Sequence, residues 1–359
     1  MPESTQSGRY LVFKAGPSAL ASVRRHGFAP ERIGTLAGAS GGAKWLVLSQ
    51  LDRYLLSHIV PKLVGPVHLL GSSIGAWRFA CYAQADPIAA IDRFEQAYIS
   101  QSYSDRPDIH EITAKTREIL ALVMPAGAAA EILSHPVFRT HVMTVRARHI
   151  AASENRLLLA SALAAAAALN AVSRHTLGWF FERALFFDAR DLPPFFDVQG
   201  FPLQKIRIRE SNIEDVIVAT GAIPLVLSGV RDIEGANPGM YRDGGVIDYH
   251  LDLPHSDTGR LTLFLHFFDQ MVPGWFDKKL SWRRPAPGNI ERTILVSPSA
   301  EFVAGLPRGK IPDRTDFRSY TPLERIRAWQ EVVAACTALV DEFHEVIETD
   351  QLAARLQPL

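Results

Sequence analysis

Cysteine, net charge and long apolar runs are all scarce in this sequence, and each scarcity removes a class of protein. Only Cys81 and Cys336 occur in 359 residues, each inside an apolar, helix-like run. Buried free thiols are expected there, rather than a disulfide framework or a cysteine-based metal site. Lysine plus arginine balance aspartate plus glutamate at 38 each, so no broad basic field invites nucleic acid or acidic lipid. The 12 histidines include no i, i+4 pair beside a suitable acid, and neither a metal nor another cofactor is expected. The opening MPESTQSGRY is polar and lacks the charged-then-apolar layout of a secretory leader; residues 1–8 are expected to be a flexible tail. The most apolar stretch, LLLASALAAAAALNAV at 157–172, is shorter than a typical membrane span and dominated by alanine. It reads as a buried helix, or one beneath the entrance to a binding site. A cytoplasmic location is the expectation, with transient contact at a membrane surface left open.

What is present is a substantial core. Hydrophobic residues make up 47% of the chain and charged ones 21%, in proportion for one elaborated globular domain over 9–359. Short apolar runs alternate with helical patterns. RYLVFKAG (9–16), IGTLAG (33–38) and VHLLG (67–71) read as strands, separated by the helix PSALASVRRHG (17–27) and by one carrying Trp45, Leu46, Leu48, Leu51 and Leu55. AWRFACYAQA (76–85) continues the alternation, which implies a layered α/β sheet with helices on both faces. Further on, HVMTVRARHI (141–150), ALFFD (184–188), LQKIRIRE (203–210), LTLFLHFF (261–268) and ILVSP (294–298) are strand-like. IEDVIVATGAIP (213–224) reads as a helix ending near Pro224. From Pro322 to about Leu356 a 3.6-residue spacing predicts one long amphipathic helix.

Two turns share one pattern. GASGGAKW (38–45) and GSSIGAW (71–77) both contain Gly-x-Ser-x-Gly between a strand and a helix, the setting that lifts a serine hydroxyl clear of a sheet. The surroundings separate Ser40 from Ser73. Acyl transfer needs backbone N–H groups already aimed at the developing oxyanion, and a Gly-rich helix start supplies them. With Ser73 as nucleophile, Gly41, Gly42 and Ala43 lie one strand upstream to serve, and Lys44 adds positive charge. With Ser40 instead, the upstream loop is KAGPSAL (14–20), where Pro17 has no N–H to give. Ser73, flanked by Gly71 and Gly75, is the favoured nucleophile, and Ser40, in an esterase or acyltransferase, stays as the alternative.

In this order the motifs resemble those of the patatin-like phospholipases. SGGAKW (40–45) resembles that family's Gly-rich oxyanion loop with its basic residue. GSSIGAWRFACYA (71–83) is similar to its nucleophile turn, and ATGAIPLVLSGV (219–230) followed by YRDGGVIDYH (241–250) to its proline segment and Asp-Gly-Gly turn. The likeness spans about 38 to 250. It implies a three-layer α/β/α sandwich with a mainly parallel sheet, a serine–aspartate dyad of Ser73 and Asp243, and hydrolysis of a lipid or other acyl ester without a cofactor. Gly244 and Gly245 would be the turn that lets the carboxylate approach the serine. Residues 322–356 would be a helical extension.

Other assignments stay open on the residues alone. A serine–histidine–acid triad has His250, His255, His266 and His344 to draw on; His266 is expected to be packed in its strand and His250 to lie at the surface. Arg78 would meet a substrate phosphate or, more ordinarily, an internal carboxylate. The aromatics at 179–181, 186–187, 195–196 and 275–276 would line an acyl channel or belong to the core. Lys278, Lys279, Arg283 and Arg284 form a basic loop beside tryptophans, solvated or touching lipid. A catalytically inactive scaffold that binds lipid or a protein partner is the reading of a different class.

Overall fold

The computed structural model describes residues 10–256 and 259–359; the tail expected at 1–8 lies outside them. Eleven strands join in one sheet: β1 (Leu11–Ala15), β2 (Ile33–Gly38), β3 (Val67–Ser72), β4 (Phe138–Ala147), β5 (Phe181–Phe187), β6 (Leu203–Arg207), β7 (Val230–Arg231), β8 (Met240–Asp243), β9 (Leu261–Leu265), β10 (Thr293–Pro298) and β11 (Leu356–Pro358). The main path runs β11-β1-β10-β9-β2-β3-β4-β5-β6. Its centre, β10 through β4, is parallel throughout. Every residue of β2 and β3 is buried, as expected of parallel strands covered by helices on both faces. The architecture is a mixed, mostly parallel three-layer α/β/α sandwich.

Local sequence sets most of the elements. Pro17 opens the helix Pro17–His26, which ends in Arg24, Arg25 and His26 before Gly27 at φ 69°. A cation-rich last turn followed by a left-handed glycine is a standard helix stop. Cys81 and Cys336 are buried free thiols. Three expected helices differ in form. The one after the first glycine turn begins as a 3₁₀ turn over Gly42–Leu48 and becomes α-helical only at Ser49–Tyr54. The helix Ile213–Thr220 stops at Gly221, before Pro224. The long C-terminal helix is two, Pro322–Ala335 and Thr337–Glu348, broken at Cys336. The chain then returns as β11 to pair with β1 at the sheet edge.

The register of β4 positions the site. β5 occupies one edge of β4 from His141 to Ala147. On the other edge β3 pairs as far as Ser72↔Met143, and β8 takes over antiparallel from Asp243↔Thr144. β3 and β8 therefore meet tip to tip, with Ser72 and Asp243 opposite consecutive residues of β4.

Beneath the helix Ile74–Tyr82, Arg78 meets a carboxylate. Its Nε donates to Asp52 Oδ2 at 2.8 Å, and Tyr82 Oη donates to Asp52 Oδ1 at 2.8 Å. All three side chains are buried, so Arg78 is a structural ion pair. Burial and Asp52 together hold the Tyr82 phenol well above its ordinary value. Asp52→Ala strands the Arg78 cation in the core and is expected to cost about 3–5 kcal/mol in urea unfolding. Asp52→Leu combined with Arg78→Met should cost much less, and equal losses from both variants would contradict this account.

Candidate active site

The turn after β3 is strained in a way its glycines permit. Ser73 has φ 52° and ψ −127°, a region that side-chain-bearing residues rarely adopt. A Cβ on Gly75 would stand 1.9 Å from the carbonyl oxygen of Gly38, and one on Gly71 would stand 2.5 Å from Ala76 Cα. Only glycines let the two Gly-x-Ser-x-Gly turns pack backbone to backbone. The strained residue is held on its N–H side, which donates to Thr220 Oγ1 at 2.8 Å, while Thr220 donates onward to the Met143 carbonyl at 2.5 Å.

Ser73 Oγ donates to Asp243 Oδ2 at 2.8 Å. The other carboxylate oxygen, Oδ1, accepts the Gly245 N–H at 2.7 Å. Gly244 is needed for this approach: a Cβ there would lie 2.2 Å from the Met143 carbonyl oxygen and 2.7 Å from Ser72 Oγ. Both dyad side chains are 6% exposed. Burial lifts the Asp243 carboxyl from 3.8 to about 6, against the opposing pull of the Ser73 hydroxyl, the Gly245 N–H, Lys278 and Arg314.

Ser40 comes close without joining. Its hydroxyl donates to Ser72 Oγ at 2.9 Å, and its N–H is taken by the Tyr249 carbonyl at 2.9 Å. A Cβ on Gly245 would lie 2.6 Å from Ser40 Oγ and 2.9 Å from Asp243 Oδ1, so the first glycine turn borders the dyad. Beyond Ser40, Gly41 is pressed against the Phe267 ring, and Gly42 adopts φ 56°, where a Cβ would lie 3.9 Å from the Tyr98 hydroxyl. Among the described residues no acceptor takes the N–H of Gly41, Gly42, Ala43 or Ile74. Such unclaimed amides at two helix starts are what an anionic oxygen needs. Lys44 follows, and burial lowers the pKa of its ammonium.

The histidines stand apart from the dyad. His250 is fully buried, not at the surface: the chain turns inward after the Asp-Gly-Gly turn, His250 Nδ1 accepts the Val272 N–H, and the ring packs edge-on against His266 at 4.2 Å. His266 accepts the Phe268 N–H at 2.9 Å. His255 contacts the Leu251 carbonyl through Nε2, and His344 Nδ1 meets the Tyr54 hydroxyl. Burial keeps His250, His255 and His266 below their ordinary pKa, the last two to about 4 and about 3. Among the described residues, none of the four bonds to Ser73, Ser40 or Asp243. The aromatics divide: Phe181, Phe186 and Phe195 are core, whereas Trp179 is 63% exposed.

Sequence reasoning missed Thr220, Ser72 and Ile74, and it placed Lys278 in a basic loop without linking it to Asp243. Thr220 stood within a quoted motif, but nothing local marks its hydroxyl as the partner of an amide 147 positions away. Lys278 places Nζ 3.9 Å from the centre of the Tyr249 ring, close enough to a ring face for cation–π attraction, and its charge bears on Asp243.

No protein-family model matches the chain, and no curated protein sequence does. Among solved structures it is similar to VipD from Legionella pneumophila, with 13% identity over 75% of this chain and 56% of that one, TM-score 0.32. It is also similar to human GIVD cytosolic phospholipase A2, with 10% identity over 93% of this chain and 62% of that one, TM-score 0.39. The chain thus spans about three fifths of the length of each. Likeness this distant has no bearing on activity, so chemistry is read from the site's own geometry.

Because Asp243 is held at about 6, the folded state keeps its proton more tightly than the unfolded chain. The penalty for ionising it grows as pH rises from about 4 to about 6 and persists above, at about 3 kcal/mol. Asp243→Asn should therefore stabilise the protein by about 1–3 kcal/mol above pH 7 and by little near pH 4. Urea titrations at both pH values measure this, and a gain independent of pH would contradict it.

Proposed function

We propose that the protein is a serine–aspartate acyl hydrolase of patatin-like type, acting on a lipid or other carboxylic ester. The observation that carries the reading is the 2.8 Å hydrogen bond from Ser73 Oγ to Asp243. In the proposed mechanism Asp243 accepts the hydroxyl proton as Oγ attacks the carbonyl carbon. The resulting oxyanion is met by amides of Gly41, Gly42 and Ala43, joined by that of Ile74, with Lys44 adding charge. Collapse of the tetrahedral intermediate expels the alcohol, which leaves with the proton held on Asp243, and Ser73 stays acylated. Water then enters, gives a proton to Asp243 and attacks the acyl carbon. Carboxylic acid departs as Ser73 regains its proton.

A carboxyl near 6 suits this cycle. It is a stronger base than an ordinary aspartate and is still ionised at neutral pH. Ser40 is the weaker candidate because its hydroxyl is engaged with Ser72 and not with a base.

With a p-nitrophenyl butyrate substrate, Ser73→Ala and Asp243→Asn should each lower kcat/KM by about 10²–10⁴-fold, while Ser40→Ala keeps most activity. Activity that survives Ser73→Ala but disappears in Ser40→Ala would reverse the assignment. A fluorophosphonate should label the Ser73 peptide; folded protein that takes no label would favour a binding scaffold. Since Asp243 must be ionised to act, kcat/KM should climb with pH through about 6 and then level off. A profile that falls across that range would remove Asp243 as the base.

A further inference from the structure

The helix Arg156–Val172 is apolar on both faces. It starts at Asn155, whose Oδ1 accepts the N–H groups of Leu157 and Leu158 at 3.0 and 3.2 Å. Its inner face, Leu159, Ala162, Leu163 and Ala166, packs with Val246 and Ile247 just past the Asp-Gly-Gly turn. The helix is thus half-buried, its outer face open, rather than enclosed as the sequence suggested. That outer face exposes Leu157, Ser161, alanines at 164, 165, 167, 168 and 171, and Val172. No charged residue occurs between Leu157 and Val172. Leu157 is 79% and Val172 85% exposed. A helix apolar all round calls for an apolar neighbour on each side, and the fold supplies one.

The flanks of this face are chemically specific. Trp179, in the short helix packed beside it, and Trp282 are both more than 60% exposed. Trp282 belongs to a loop tied to the end of the helix. Asn170 Nδ2 donates to Asp277 Oδ1 at 2.8 Å, and Arg283 Nη2 donates to the Asn170 carbonyl at 2.8 Å. The same loop exposes Lys279 and Arg284, and Arg156 is exposed at the helix start. The neighbouring acids are engaged: Asp277 is buried among Asn170, Arg174 and Arg283, and Glu154 pairs with Arg242.

We propose that this uncharged helix face, with its tryptophans and basic rim, docks the protein on a bilayer surface containing anionic lipid. Exposed tryptophans beside cations suit the headgroup boundary. Seventeen residues make the helix about 25 Å long, shorter than the roughly 30 Å hydrocarbon core, and no helix among the described residues is long and apolar enough to cross a membrane. It lies along the surface instead. A second copy of the chain is the poorer occupant, because two-fold pairing through this face would set basic rim against basic rim.

The proposal names the lipid source for the hydrolase and rests on that reading, so docking is measured on Ser73→Ala protein, apart from turnover. The full-length variant should sediment with phosphatidylcholine vesicles containing phosphatidylserine, less with phosphatidylcholine alone, and less again in high salt. Adding Leu157→Glu and Val172→Glu should lower partitioning about tenfold or more. Lys279→Glu with Arg284→Glu should lower it several-fold. Thermal unfolding should be unchanged in both, since every altered side chain is exposed. Partitioning indifferent to these substitutions, absence of sedimentation with the anionic vesicles, or a vesicle-free dimer dispersed by the Leu157 and Val172 changes would each overturn the proposal.

Discussion

One hydrogen bond between a hydroxyl and a carboxylate 170 residues apart organises this molecule. For it to exist, two strands must end at the same point on one edge of β4, since a side chain reaches only a few ångströms. β3 arrives parallel and β8 antiparallel, and their last residues face Met143 and Thr144. Each end is then tightened by glycine: Gly75 against Gly38 on one side, Gly244 against Met143 on the other. The close contacts are backbone to backbone, which leaves no flexible side chain to yield. Geometry so constrained can hold Ser73 in an unfavourable conformation.

Enclosure gives that contact its chemistry. An aspartate in water is too weak a base to take much part in proton transfer at neutral pH. With most solvent removed, Asp243 moves toward the working range, and the Ser73 hydroxyl and Gly245 amide prevent it from moving further. Burial likewise keeps His250 and His266 neutral and engaged with backbone groups. Burial therefore acts in opposite senses on the two residue types, strengthening the carboxylate as a base while withholding the imidazoles.

The surroundings extend this logic outward. Val246 and Ile247 follow the Asp-Gly-Gly turn directly and pack under the alanine-rich helix, and Arg174 Nη2 donates to the Ile247 carbonyl at 2.7 Å. Support for the acid and the uncharged outer face thus belong to one unit, with Asp277 as its buried anchor. On the far side of the Ser73 turn, the Asp52–Arg78–Tyr82 cluster fixes the helix whose first amide adjoins Ser73.

Much of this was legible in the sequence, and the physical divide is clear. Apolar runs defined β1 to β6, β9 and β10 because burial of a covered strand is a local pattern, whereas the short β7, β8 and β11 were not marked. Both Gly-x-Ser-x-Gly turns and the Asp-Gly-Gly turn declared themselves through glycines that close approaches demand. The break at Cys336, the inward course of His250 and the open face of the alanine-rich helix did not, since each depends on what packs alongside. Above all, Ser40 and Ser73 share one Gly-x-Ser-x-Gly pattern, and in the sequence only the loop upstream of each favours Ser73. Only the register of β8 on β4 brings Asp243 to one of them and leaves the other to Ser72, because pairing between distant strands is a property of the assembled sheet.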